Sequence, residues 1–93
     1  MMIRHNTYFA GRVMSLGPDI DSERFTVGIM EPGSYTFSTT TIEIMEVITG
    51  SMDVTLPDGS RRSVGRHESF AVPAGTEFAV RISAPTAYLC SYQ

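Results

Sequence analysis

The sequence predicts a small all-β domain, a single barrel or jelly roll spanning residues 1–93, and three observations predict it. Turn-forming residues recur at short intervals, at Gly17-Pro18-Asp19, Pro32-Gly33, Gly50-Ser51, Pro57-Asp58-Gly59, Pro73-Ala74-Gly75 and Ala84-Pro85, and leave no room for long helices. Between them, apolar and polar residues alternate with period two, the pattern of half-buried strands. The length of 93 residues, 42% of them hydrophobic, suits one core and excludes a second.

Taken in order, strands are expected near residues 7–14, 24–30, 34–39, 43–49, 51–56, 69–72, 77–82 and 86–92, about eight in all, a number that closes a small barrel. Tyr35, Phe37 and Thr39 alternate with Thr36, Ser38 and Thr40, and Phe78, Val80 and Ile82 alternate with Glu77, Ala79 and Arg81. Met52, Val54 and Leu56 run into Pro57-Asp58-Gly59, whose glycine can take the positive φ of a hairpin turn. The segment from Leu16 to Ser22 is the one longer loop. Two strands read as apolar on both faces: Phe25, Val27 and Ile29 beside Met30, and Glu43, Met45 and Val47 beside Ile44 and Ile48. A second copy of the chain is the simplest cover for such a face, so a homo-oligomer, a dimer first, is expected.

Composition removes several function classes. A net charge of −3 with no basic cluster argues against nucleic acid. The single cysteine, Cys90, forms no intrachain disulfide, and no apolar run approaches a membrane span, so a soluble cytoplasmic protein is expected. His5 and His67 lack a nucleophile at any recognised spacing. All seven basic residues are arginine, a residue suited to bidentate anion recognition, although chance or a bias in base composition is the stronger reading of so small a sample.

The chain resembles the cupins through the skeleton of their two signature stretches. Gly33, Glu43 and Gly50 keep the frame of the first, and SFAVPAGTEF, with Pro73 and Gly75, keeps that of the second. Where cupins carry three metal-binding histidines, this chain has Phe37, Thr39 and Phe78, none of which offers an imidazole nitrogen, so no metal is expected. The vacated positions then form an organic pocket: Tyr35, Phe37, Thr39, Glu43 and Phe78, with Tyr88 from the last strand. Two readings stand for the aromatics, ligand wall or ordinary core. Two stand for Glu43 as well, because period two alone admits Ile44 and Ile48 as the core face; the cupin frame turns Glu43 inward. Arg12, read in one strand with Tyr8 and Met14 on its face, is the candidate for phosphate, against the reading of a surface side chain.

Nearly the whole chain also resembles the small bacterial pyrimidine/purine nucleoside phosphorylases of cupin fold. The residues that carry the likeness are N-x-Y-F-x-G at Asn6 to Gly11, VG-x-M at Val27 to Met30, G-x-YTFST at Gly33 to Thr39, E-x-M-x-VI-x-G at Glu43 to Gly50, F-x-VP at Phe70 to Pro73 and PT-x-YLC-x-Y at Pro85 to Tyr92. The resemblance implies reversible cleavage of purine and pyrimidine nucleosides by inorganic phosphate, giving free base and ribose 1-phosphate without a cofactor. Laid on the cupin frame, that chemistry assigns Arg12 to phosphate, Glu43 to the ribose hydroxyls or the developing positive charge, Tyr35, Phe37 and Phe78 to stacking on the base, Thr39 to phosphate or sugar, and Tyr88 to the substrate-binding wall. A reading from another class is a non-catalytic barrel that binds a nucleoside or sugar.

Overall fold

The computed structural model describes residues 3–18 and 24–93. Among them run ten strands, β1 (Ile3–Tyr8), β2 (Val13–Pro18), β3 (Phe25–Met30), β4 (Gly33–Ser38), β5 (Glu43–Thr49), β6 (Met52–Thr55), β7 (Arg61–Val64), β8 (Ser69–Val72), β9 (Glu77–Ile82) and β10 (Thr86–Tyr92). All pair antiparallel, in a six-stranded sheet of order β1-β2-β3-β10-β5-β8 and a four-stranded sheet of order β4-β9-β6-β7. The two sheets face each other across one core, the sandwich-like closure of a jelly roll.

Ten strands stand where about eight are expected from spacing. The expected strand at 7–14 is two strands, because Phe9, Ala10 and Gly11 all take positive φ, at 53°, 56° and 86°, and reverse the chain. A left-handed backbone costs a residue with a Cβ roughly 1–2 kcal/mol, so this turn is held by something beyond its own propensity. The reversal overturns the expected face of Arg12: Tyr8 pairs with Val13 and points inward, Met14 points outward, and Arg12 lies in the turn between them. Strand β7 was hidden because Arg61-Arg62-Ser63 is polar on both faces and carries no alternation. Leu16 and Gly17 belong to β2, and residues 19–22 of the expected loop lie outside the described residues. The hairpin forms as expected: Gly59, at φ 86°, donates its N–H to the Leu56 carbonyl at 2.8 Å.

Alternation sorts each strand into an inner and an outer side. On β5, Glu43, Met45 and Val47 face in; on β10, Thr86, Tyr88 and Cys90 do; on β4 and β9, Tyr35, Phe37, Phe78 and Val80 do. The centre of the six-stranded sheet is β10, paired to β3 on one side and β5 on the other. Around β6 and β7 the interior is filled by Met52, Val54, Val64, Val72 and Val80, all shut from solvent. The outer side of the large sheet is different. Met14, Leu16, Val27, Ile29 and Ile48 stand in neighbouring rows and are exposed, Ile29 to 56% and Met14 to 50%.

Candidate active site

The inner side opens into a cavity of about 450 Å³ between the start of β5, the end of β10 and the aromatic pair on β4 and β9. Cross-strand register builds its walls. Phe37 lies directly opposite Phe78, and the rings stack at 5.5 Å and 29°. On the other sheet Tyr92 lies opposite Glu43, and Cys90 opposite Met45. Tyr88 pairs with Gly28, where an added Cβ would fall 2.7 Å from the Tyr88 hydroxyl and 2.4 Å from the Met14 carbonyl. Only a glycine there lets the Tyr88 ring lie across β3.

Glu43 is the one carboxylate in this lining, half-buried and inward. Burial raises its pKa above the ordinary carboxylate range, and a hydrogen bond from the Cys90 thiol to Oε1, at 3.5 Å, works in the opposite direction. The same wall disfavours negative charge on three neighbours of Glu43. Burial, with Glu43 close by, pushes the Cys90 thiol up to about 12, and burial pushes the Tyr88 phenol up to about 12. Tyr92 is raised too, by burial first, although its hydroxyl shares a hydrogen bond with Thr26 Oγ1 at 3.0 Å. At neutral pH the wall therefore offers neutral donors around one carboxyl group. Ser15 adds a buried hydroxyl that accepts from Asn6 Nδ2 at 3.3 Å.

Of the residues singled out in the sequence, the cavity gathers Glu43, Phe37, Phe78 and Tyr88. It does not gather the other three. Tyr35 is buried behind the wall, its hydroxyl donating to the Glu31 carbonyl at 2.6 Å. Thr39 spends its hydroxyl on the fold, donating to the Pro73 carbonyl at 2.7 Å and accepting from the Thr76 N–H at 3.0 Å. Arg12 is exposed, its guanidinium 5.4 Å from the centre of the Tyr35 ring, next to the outer groove that Met14, Leu16 and Ile29 line. No described residue in the cavity lining is cationic. Tyr8, Phe9, Cys90 and Tyr92 line it without having been expected there. Tyr92 was accessible from period two, since it continues the face of Tyr88 and Cys90; Phe9 was not, since it follows Tyr8 directly.

Among the described residues no group of three His, Cys, Asp or Glu comes together to hold a metal ion. What the cavity can do chemically is stack a flat ring, hydrogen-bond hydroxyls, and place a carboxylate beside a centre that becomes positive.

The sequence model of the pyrimidine/purine nucleoside phosphorylases matches residues 3–92. A protein of Yersinia enterocolitica named pyrimidine/purine nucleoside phosphorylase is 46% identical over 93 residues, covering 98% of each chain. Among solved structures, a Vibrio parahaemolyticus protein described as of unknown function superposes with a TM-score of 0.93 over 100% of both chains at 37% identity. An RmlC-like cupin from Shewanella frigidimarina superposes at a TM-score of 0.75, over 98% of this chain and 81% of that one; its 16% identity speaks to the fold alone. By fold this is a cupin-type barrel, and by sequence over nearly its full length the chain belongs to the pyrimidine/purine nucleoside phosphorylase family.

Proposed function

We propose that the protein is a nucleoside phosphorylase that converts purine and pyrimidine nucleosides and inorganic phosphate into free base and ribose 1-phosphate, without a cofactor. The observation that carries this reading is a half-buried carboxylate set in an aromatic cavity of nucleoside size, in a chain of this family. The cavity falls within the ~300–1,000 Å³ of small-molecule sites.

In the reaction the C1′–N bond breaks with its electron pair leaving on the base, a phosphate oxygen bonds to C1′, and the departing nitrogen gains the proton that hydrogen phosphate gives up. The ribosyl centre is positive in between. Ionised Glu43 stabilises that charge or holds the ribose hydroxyls, and the ring wall takes the base without reading its edge, so purines and pyrimidines are both accepted. Phosphate needs a cation from outside the lining. Arg12 takes this role in our reading: it is exposed and is held over Tyr35 by a contact worth about 0.5–1 kcal/mol, weak enough for the side chain to swing.

Two further features belong to the reading. The exposed apolar side of the six-stranded sheet joins two copies as a homodimer, and Ile29→Glu is expected to give monomers in sedimentation. We place the protein in the cytoplasm, since its one cysteine calls for no oxidising compartment.

The test is incubation of purified protein with uridine or inosine, with and without phosphate, following base and ribose 1-phosphate. Phosphate-dependent release of both is expected, unchanged by chelators. Binding of nucleosides without any release leaves the non-catalytic barrel.

A further inference from the structure

A ring that stacks on a ligand must have a face to offer. In this cavity Phe78 and Tyr88 are only 3% and 5% exposed, and a face of Phe37 is covered by Phe78. The two exposed rings of the lining are Tyr8, at 44%, and Phe9, at 38%.

These two residues are consecutive, and in an extended strand consecutive side chains point to opposite sides. Tyr8 is still extended, at φ −129° and ψ 157°. Phe9 then turns left-handed, as does Ala10, although both carry a Cβ. That conformation is unfavourable for each of them and recurs at sites where geometry matters more than local stability. Its consequence here is that both rings line the same cavity. Phe9 is fixed there by Tyr35, at 4.9 Å, and by an edge-to-face contact with Phe37 at 5.5 Å and 88°. The buried Tyr35 thus acts through Phe9 as a positioning residue.

We infer that Tyr8 and Phe9, brought together by the left-handed turn between β1 and β2, form the surface that grips the aromatic base of the substrate. The inference rests on the phosphorylase reading for the identity of the ligand. It makes the turn, not the deeper ring pair on β4 and β9, the determinant of base affinity. A bicyclic base gains more from that surface than a monocyclic one.

The experiment measures binding of hypoxanthine, uracil and ribose 1-phosphate to wild type, Phe9→Leu, Phe9→Tyr and Tyr8→Leu by calorimetry, with thermal melts on each. Phe9→Leu keeps an apolar side chain against Tyr35 but removes the ring. Expected is about a tenfold loss of hypoxanthine affinity, a smaller loss for uracil, no change for ribose 1-phosphate, and recovery in Phe9→Tyr. Tyr8→Leu, at a strand end with an exposed side chain, gives the same pattern independently if Phe9 variants fold poorly. Unchanged hypoxanthine binding in both leucine variants overturns the inference. So does an equal loss for all three ligands, which marks a structural role. Wild type that binds base but releases none from nucleosides sinks the phosphorylase reading and leaves the base grip standing; wild type that binds no base sinks the grip.

Discussion

The interior of this barrel is two regions made from the same strands. Along β5 the inward residues run Val47, Met45, Glu43, and along β9 they run Ile82, Val80, Phe78. In each case the first member packs into solid core and the last borders the cavity, while Met45 belongs to both, in the core cluster and in the cavity lining. Stability and chemistry are thus divided along strands rather than between them. A step of two residues carries a side chain from close-packed interior, where a missing methylene is felt, to a wall that keeps a gap of about 450 Å³ open. Among the described residues the lining is six aromatic rings and five polar groups, together with Met30 and Met45.

The largest expected effect separates the regions by stability. Met52→Ala, in the filled region, should lower stability by about 2–5 kcal/mol and the melting temperature by roughly 10 °C or more, while the KM for nucleoside in the folded fraction stays within about twofold of wild type. A nucleoside KM that moved as far as the stability would show that the regions are one unit.

Glu43→Gln should do the converse, lowering kcat/KM about 100-fold, the order seen when one preorganised electrostatic group is lost. Burial raises the Glu43 pKa in the folded state, so the fold favours the protonated carboxyl. That stabilisation is complete below the unfolded carboxyl pKa and is lost as pH rises through the higher folded value. At neutral pH the ionised form is a net burden on the fold, and the uncharged amide should melt at or above the wild-type temperature. The same shift predicts that wild-type kcat/KM climbs with pH through the raised Glu43 pKa, and that this acid limb is missing in Glu43→Gln.

Arg12→Ala should raise the KM for phosphate about tenfold, the loss of one charge-assisted contact, and leave the KM for nucleoside alone. An unchanged phosphate KM removes Arg12 from the mechanism. The smallest effect is expected at Cys90. Its thiol hydrogen bond lowers the Glu43 pKa, so Cys90→Ala should move the acid limb to higher pH while leaving its plateau nearly intact.

Much of this was legible in the sequence, and the reason is period two. Wherever alternation is uninterrupted it places side chains: Glu43 with Met45 and Val47, Tyr88 with Cys90, and Phe37 with Tyr35 follow from counting by twos within the cupin frame. Counting fails where the backbone leaves the extended region. Three left-handed residues at Phe9–Gly11 reset the parity, which is why Arg12 fell off the expected face and why Phe9 joined Tyr8 unannounced. Alternation is also silent about what a side chain does once inward. Thr39 and Tyr35 face the interior as their spacing says, but their hydroxyls are bound to carbonyls whose positions only the folded chain defines.

The central position of β10 has a consequence for how the molecule comes into being. Among the described residues, 86–92 supply the only hydrogen-bonded link between β3 and β5 in the six-stranded sheet. As the chain leaves the ribosome, the β1-β2-β3 and β5-β8 halves wait with open edges until that segment emerges, a late, long-range closure of the kind that slows folding and exposes strands to wrong partners. The thiol beside Glu43 arrives in the same step, so a nascent chain is without its aromatic cavity until its sheet is sealed.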